Sequence, residues 1–474
     1  MGVAVAVGAG IFSVGAQAAA FHAGPAVIIS FLIAGIVCGA AVMCYAEFAS
    51  MIPVAGSAYT FTYTTVGEIM AWIIGWDLIL EMLMAGSVIS KYWGVYLNDF
   101  MRLMGWSANT NLTFGSFHID IAPIIIVAFF TTLLVFGTKI GARVDGAMTV
   151  LKIAIVFFVV IVGFFYVKAS NFTPFIPPSQ PASTVEGSSA VTGVMTQPLW
   201  QFATGMTPSV YGVPGILSGA ALVFFAFIGF DVVATASEET KNPHKNVPLG
   251  IGVGMLLIIV MYMLVAVVTT GMVSYADLAK QDSPSLATAF ELVGADWAAK
   301  IISFGIVLGL ATVVMVLLLG LTRIVFAMSR DGLLPRGLSK TGKHGTPAAL
   351  QIVVGVVVAL VAAFFDIGVL SDMVNIGTLS AFTLVAISIP IMRKKRPDLP
   401  RAFKMPGNPW IPILIAVANF WLMLNLSVLT WIRFVVWLVV GFAIYFGYGY
   451  WHARLGKGDL TETLSAETDK AVNG

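Results

Sequence analysis

The chain has 474 residues, of which 59% are hydrophobic and 10% are charged, and its formal net charge is +2. A soluble domain carries roughly 25% charged residues, so this composition excludes water as the main solvent of the folded chain. The charge balance gives no sign of a nucleic-acid partner, and we expect none.

Apolar runs predict twelve membrane-spanning helices, since a helix needs about 20 apolar residues to cross a bilayer. They lie near 1–20, 25–50, 68–98, 119–138, 146–167, 214–237, 247–273, 298–328, 347–365, 368–392, 409–429 and 431–452. Together they predict one multipass domain over 1–453 in a lipid bilayer. The polar remainder, 454–474, is predicted to be a disordered cytoplasmic tail.

Basic residues predict the orientation of these spans. Lys and Arg concentrate in alternate loops, at 139–143, 241–245, 323–343 and 393–404. Cytoplasmic loops carry such an excess, so both termini are predicted to be cytoplasmic. The first basic residue is Lys91 and no cleavable signal peptide is visible. Because a first span normally has basic residues before it, we expect the natural chain to extend further at its front.

Cysteine and histidine positions argue against a membrane enzyme. Cys38 and Cys44 lie on one apolar segment. Six residues apart on a helix, they sit roughly 240° apart around its axis and can neither pair nor hold a metal. The five histidines show no ligand spacing. We therefore expect no metal and no cofactor, and the few polar stripes argue against a channel.

Glycines interrupt two of the predicted spans. Gly8 and Gly10 lie in VGAGIF (7–12) of span 1, and Gly229 lies in FFAFIGFD (224–231) of span 6. Taken alone, each glycine is explained by close packing of neighbouring helices. These spans open two groups of five helices, so the interruptions occupy corresponding positions. Paired interruptions of this kind indicate the binding site of a transporter.

An unwound turn inside a membrane has a specific chemical consequence. It leaves backbone N–H and C=O groups that are tolerated only against protein, water or a ligand. The amino end of a half-helix offers donors and a positive dipole to a carboxylate, and a carboxyl end offers carbonyls to an ammonium group. Two facing breaks can therefore hold an amino acid by its two backbone charges.

Two acidic residues lie deep in span 3. Asp77 and Glu81, in GWDLILE (75–81), are four residues apart and share one helix face. They lie roughly 13 and 20 Å from the start of the span. Carboxylates at such depth face a cavity or a partner. A structural hydrogen bond to a neighbouring helix, attraction of a basic substrate side chain and a role in proton movement all remain open.

Lys152 and Asp231 complete the charged residues of interest. Lys152 lies inside span 5, where its amine either extends to the cytoplasmic surface or stays buried. Burial disfavours the charged form of lysine, so a buried Lys152 can release and regain a proton and couple transport to it. Asp231 follows Gly229 at the start of a second half-helix, where a carboxylate complements the dipole. We expect it to stabilise the break rather than to bind substrate.

Eight motifs in order resemble the amino acid–polyamine–organocation superfamily, especially its cationic amino acid transporter branch. They are VGAGIF (7–12), YAEFASMIPVAGSAYTFTYTTVGE (45–68), GWDLILE (75–81), NFTPFIPP (171–178), FFAFIGFDVVATASEETKNPHKNVPLGI (224–251), RIVFAMSRDGLLP (323–335), HGTP (344–347) and KKRPDLPRAFKMPGNPWIP (394–412).

The resemblance implies an all-α, five-plus-five inverted-repeat fold (LeuT-type), shared with sodium-coupled neurotransmitter transporters. Its repeats would cover about 1–167 and 214–392, with broken helices 1 and 6, and two peripheral helices would follow within 409–452.

The resemblance also implies the substrate site. The carboxylate would meet the backbone at the first break and the ammonium the carbonyls of the second, with Phe225 as a lid and Glu81 nearby. The implied substrate-binding residues are Gly8, Ala9, Gly10, Ile11, Phe225, Ala226, Ile228, Gly229 and Glu81.

The remaining implied roles concern charge and coupling. Lys152 matches the span 5 lysine of proton-coupled relatives, so the implied coupling ion is H⁺. Asp77, Glu81 and Asp231 match positions that are usually acidic in the cationic branch. Ala9 departs from the pattern, because many relatives carry threonine there.

We therefore expect an amino acid permease of the cell membrane that works by alternating access. It would take up cationic or broad-range amino acids with protons, as a monomer or weak oligomer, and would have no enzymatic activity. An exchanger without net proton coupling is the alternative within this class. A sensor that binds amino acids without moving them is the alternative from another class.

Overall fold

The computed structural model describes residues 7–8, 10–51, 59, 67–106, 110–114, 117–137, 142–184, 193–229, 243–281, 283–342, 346–395, 397, 401 and 403–453. The predictions for Ala9, Asp231 and the tail at 454–474 lie outside these residues.

Helices occupy every predicted span. In the first span, Gly10–Val14 and Ala19–Ala23 are π-helical and Gly15–Ala18 between them is α-helical; together they are named α1. The later helices are α2 (Val27–Met51), α3 (Glu68–Leu103), α4 (Ile121–Val135), α5 (Ala142–Phe164), α6 (Leu199–Thr204), α7 (Gly212–Val223), α8 (Pro243–Met272), α9 (Tyr275–Ala279), α10 (Leu286–Leu292), α11 (Asp296–Arg330), α12 (Ala348–Phe364), α13 (Ile367–Lys395), α14 (Trp410–Leu424) and α15 (Val428–Ile444).

Many of these helices have the length and the apolar composition of membrane spans. Within the described part of the chain, seven helical segments are long and apolar enough to cross a bilayer, and the first of them runs through α1 and α2. Four shorter apolar helices have 10–17 residues: α4, α7 with its following turn, α12 and α14. The chain is thus a mostly helical membrane protein. The total of twelve crossings and the two inverted repeats stay predictions.

Local chemistry sets several helix ends. Gly24 takes φ 61° and ψ −144°, which separates α1 from α2. A left-handed φ is open to glycine at low cost, so the chain can turn there. Ser285 and Thr288 form a reciprocal capping box at α10, and the Ser427 side chain accepts a hydrogen bond from the Thr430 N–H at α15. These bonds satisfy orphan donors at the first turn of each helix.

Short strands and helices lie in the connections. Strand β1 (Asn111–Phe114) pairs antiparallel with β2 (Phe117–Asp120), and β3 (Gln180–Pro181) pairs with β4 (Ser209–Val210). The predicted outer segment 274–297 contains α9 and α10. The strands are too few to change the all-α class.

Large apolar side chains are exposed along the outer faces of α4, α5 and α12. Ile125, Phe129, Phe157, Ile161 and Val356 are each more than half exposed. In water such a surface would be an interaction site or an aggregation hazard. On helices of this length and composition, these faces match contact with lipid tails.

Two tryptophans join α3 to the peripheral helix α15. The Trp76 indole donates to the Trp437 carbonyl at 2.8 Å, and the Trp437 indole donates to the Trp76 carbonyl at 3.3 Å. Their rings stack with centroids 4.4 Å apart. A Cβ at Gly441 would collide with the Trp76 ring, so glycine makes room for it. We name Trp76, Trp437 and Gly441 the tryptophan clasp.

A buried ion pair joins α2 to α13. The two Glu47 oxygens accept from Arg393 Nε at 2.8 Å and from Arg393 Nη2 at 2.6 Å, and the Met405 N–H donates to Glu47 at 2.7 Å. Glu47 is 1% exposed. At the other end of the molecule, Arg102 bonds both oxygens of Glu291 at 2.8 Å, but the Arg102 side chain is 56% exposed.

We predict that Glu47→Ala and Glu291→Ala have unequal costs. Removing one partner of a buried pair costs about 3–5 kcal/mol, because it leaves an uncompensated buried charge. Breaking an exposed pair costs about 1 kcal/mol or less. The measurement is the apparent melting temperature of the purified variants in detergent. Equal shifts for the two variants would contradict the assignment of Glu47 as a buried anchor.

Candidate functional site

The predicted break in span 1 lies at the amino end of α1. Gly8 and Ile11 are buried, and the helix starts at Gly10 with a π-helical turn. A π turn shifts hydrogen bonding from i+4 to i+5, and such turns are frequent at functional sites. The predicted site residues Gly8, Gly10 and Ile11 therefore lie at an irregular, buried part of the backbone.

The break in span 6 follows α7. The α-helix ends at Val223, and Phe224–Phe227 form a 3-10 turn. Ile228 is then extended, with φ −65° and ψ 146°, and Gly229 takes φ 85°. Only glycine adopts such a φ at low cost, which gives Gly229 a conformational role. The chain thus leaves helical geometry in the middle of the predicted span.

The two breaks are in direct contact. A Cβ built on Gly10 would collide with the Cα of Ala226. Glycine is the one residue type that permits this approach, since any other carries a Cβ. The backbone predicted to hold a carboxylate therefore lies against the backbone predicted to hold an ammonium group.

Side chains from neighbouring helices satisfy carbonyls around both breaks. The Tyr262 hydroxyl of α8 donates to the Ala226 carbonyl at 2.9 Å, and the Tyr96 hydroxyl of α3 donates to the Phe12 carbonyl at 2.6 Å. The Asn375 amide of α13 donates to the Leu222 carbonyl at 3.3 Å. Because lipid offers no hydrogen bonds, these donors keep irregular backbone tolerable at membrane depth.

None of these three donors was predicted from the sequence. Tyrosine inside an apolar span was the available signal, because a buried hydroxyl requires a partner. Tyr96 and Tyr262 are both fully buried. Sequence alone does not say which carbonyl each hydroxyl reaches, so the pairing emerges only from the packing of α3 and α8.

Asp77 and Glu81 are both buried, at 0% and 1% exposure. Asp77 Oδ2 accepts from the Ser380 hydroxyl of α13 at 2.8 Å, and its Oδ1 has no hydrogen-bond partner among the described residues. A Cβ on Gly377 would lie 3.5 Å from the Asp77 carbonyl and 3.7 Å from the Glu81 nitrogen. Helix α13 therefore covers the face of α3 that carries the two acidic residues. Asp77 makes a hydrogen bond to a neighbouring helix, which is the structural alternative stated above.

Lys152 lies between α5 and α11. It is 2% exposed. Its stem packs on Gly309, where an added Cβ would lie 2.8 Å from Lys152 Cγ and 3.4 Å from Cδ. Lys152 is therefore enclosed by protein instead of extending to a membrane surface. Gly309 makes room for the aliphatic part of the chain.

The sequence predicts that Cys38 and Cys44 do not form a disulfide bond with each other. Cys38 and Cys44 are both free and buried. Over the residues that the structure describes, no cluster of three or more His, Cys, Asp or Glu side chains could hold a metal ion.

The irregular start of α1 lies against the turn that follows α7, and paired interruptions of two predicted spans are typical of a membrane transporter. A family model described as amino acid permease matches residues 1–449. The chain belongs to this family, which lies in the amino acid–polyamine–organocation superfamily, and it is a transporter and not an enzyme. Membership confirms the resemblance found in the sequence.

Several relatives align over most of the chain. It is 42% identical to the branched-chain amino acid permease BcaP of Bacillus subtilis, over 96% of this chain and 92% of the relative. It is 38% identical to the methylthioribose transporter of the same organism, over 96% and 93%. It is 35% identical to the vacuolar cationic amino acid transporter 4 of Arabidopsis thaliana, over 84% and 62%.

We predict that Gly10→Ala abolishes most transport, because its methyl group must displace the Ala226 backbone. Overpacking costs about 1–3 kcal/mol, or roughly 5- to 150-fold in an equilibrium. The measurement is amino acid uptake by cells that express each variant, normalised to protein in the membrane.

Gly39→Ala is the matched control for this substitution. Its added methyl would meet Met255 at 3.7 Å, an ordinary contact with a flexible side chain. We expect uptake within about 2-fold of the unmodified chain, as for a well-accommodated small change. Full uptake by Gly10→Ala would show that the breaks need no close contact.

Proposed function

We propose that this chain takes up amino acids by alternating access, driven by a proton gradient across the cell membrane, with both termini in the cytoplasm. The observation that carries the proposal is the contact of the two breaks at Gly10 and Ala226. It joins donor-bearing and acceptor-bearing backbone in one buried place. Membership of the amino acid permease family supports the substrate class.

The backbone of the two segments is the proposed recognition element. The N–H groups of Gly8 and Gly10 at the amino end of α1 attract the carboxylate, aided by the helix dipole. Carbonyls from Phe225 to Ile228 accept the ammonium, although the Phe225 carbonyl also accepts the Ile228 N–H at 3.3 Å. Tyr262 already occupies one side of the Ala226 carbonyl, but a carbonyl oxygen has two lone pairs and can accept a second bond.

The side-chain pocket favours a broad range that includes apolar amino acids. Ile11, Phe224, Phe225 and Phe227 are all buried beside the breaks. A pocket of this kind distinguishes apolar side chains weakly, by about 1–3 kcal/mol per methylene. A relative named for branched-chain substrates agrees with this range, and relatives named for cationic substrates leave a role for Glu81.

Lys152 is the proposed coupling group. A cation buried in protein is costly, so the neutral and charged forms of Lys152 favour different packings of α5 against α11. Binding and release of one proton per transport cycle would link these two packings to opening of the substrate site toward one or the other side of the membrane. An exchanger would need no such proton, and a sensor would need no flux at all.

The decisive experiment measures radiolabelled uptake into proteoliposomes across an amino acid panel. Imposed pH and sodium gradients are applied separately. Accumulation above equilibrium with the pH gradient alone supports proton-driven uptake. Counterflow without net accumulation would identify an exchanger, and binding without either would identify a sensor.

We predict that Lys152→Ala abolishes pH-driven accumulation but leaves counterflow of preloaded substrate. The reason is that exchange between loaded states does not require the proton to leave. Lys300→Ala is the control, because Lys300 lies near the start of α11, the helix against which Lys152 packs. Undiminished accumulation by Lys152→Ala would remove its coupling role.

We predict that Glu81→Gln weakens uptake of lysine and arginine more than uptake of leucine. Loss of a buried carboxylate that attracts a cation costs about 2 kcal/mol or more, which is roughly 30-fold. Asp77→Asn is the paired variant, and because Asp77 bonds Ser380 it should affect all substrates alike. Equal losses across the panel for Glu81→Gln would make Glu81 structural.

A further inference from the structure

The Tyr96 hydroxyl lies between a backbone carbonyl and a side-chain hydroxyl of α1. It donates to the Phe12 carbonyl at 2.6 Å and accepts from the Ser13 hydroxyl at 3.2 Å. Tyr96, Phe12 and Ser13 are each at most 1% exposed. Phe12 and Ser13 belong to the π-helical turn Gly10–Val14, and the Ser285 side chain also lies beside the Tyr96 hydroxyl.

This chain of bonds fixes the shape of the turn that opens α1. A 2.6 Å separation is at the short end for O–H···O hydrogen bonds. A buried carbonyl that loses its donor pays the full cost of desolvation, so the turn is held where Tyr96 reaches it. Phe12 follows Gly10 by two residues. Gly10 and Phe12 belong to the same π-helical turn, so a bond that holds Phe12 also restrains Gly10.

We propose that Tyr96 is a positioning residue for carboxylate recognition. Its hydroxyl holds the π-helical turn so that the N–H groups of Gly8 and Gly10 point at the substrate carboxylate. Tyr96 acts through the Phe12 carbonyl and does not touch the substrate. The inference rests on the proposed amino acid uptake and names a residue that determines its specificity for a free carboxylate.

A neighbouring tyrosine supplies the control. Tyr92 lies one turn earlier on α3 and is equally buried, but its hydroxyl bonds the Gln17 side chain at 3.3 Å. Tyr92→Phe thus removes the same atom from the same helix without freeing a backbone carbonyl of the turn. Any general weakening of the contact between α3 and α1 appears in both variants.

The test compares a free acid with its ester. Uptake of radiolabelled leucine and lysine is measured in proteoliposomes, with competition by each amino acid and by its methyl ester. For Tyr96→Phe we expect the KM for the free acid to rise about 5-fold, as for one lost hydrogen bond, with kcat within about 2-fold. The ratio of ester to acid inhibition constants should fall by the same factor.

Ser13→Ala keeps the proposal testable if Tyr96→Phe does not fold. It removes the donor that orients the Tyr96 oxygen, so we expect a smaller change, about 2-fold, in the same direction. Tyr92→Phe should leave the ratio unchanged. Melting temperatures of all three variants in detergent separate folding from recognition.

The outcomes distinguish this inference from the proposed function. An unchanged ester-to-acid ratio in folded Tyr96→Phe, or an equal fall in Tyr92→Phe, overturns the positioning role while uptake stands. The positioning role is also overturned if Tyr96→Phe lowers kcat equally for leucine and lysine and leaves both KM values unchanged. An unmodified protein that transports no amino acid of the panel contradicts the proposed function itself.

Discussion

The structure depends on how backbone polar groups are satisfied where helical geometry becomes irregular in two predicted spans. A regular helix satisfies its own N–H and C=O groups, but an irregular turn leaves some of them in need of another partner. Here the carbonyls of Ala226 and Phe12 receive hydroxyls from Tyr262 and Tyr96. Gly10, at the start of α1, lies against Ala226. The protein therefore supplies side-chain donors to the backbone of both segments where they meet.

Glycines then decide how closely the framework can approach this place. At Gly10 the missing side chain lets the two predicted breaks touch, and at Gly309 it makes room for Lys152. Each close approach excludes lipid and water from a group that needs a protein partner. Charged and irregular elements thus occupy the centre, while the outer helices present plain apolar faces.

Much of this could be predicted from the chain alone. Helix positions followed from apolar runs, because the bilayer fixes the length of a span and leaves few alternatives. The change of backbone geometry at Gly229 followed from its glycine in a span, whereas the burial of Lys152 was one of two outcomes that the sequence left open. The bond of Asp77 to Ser380 could not be predicted, because it depends on which helix packs beside α3. The same holds for the carbonyl that Tyr96 reaches, since a tyrosine reports a need for a partner and not its identity.

The tryptophan clasp restricts which substitutions can be accepted at its three positions during evolution. Each indole needs the carbonyl of the other residue, and the ring of Trp76 fits only because position 441 has no side chain. A change at one of the three positions leaves a buried donor or a collision at another. Residues 76, 437 and 441 are therefore inherited as a set: relatives should keep all three or replace them together, although they are far apart in the chain.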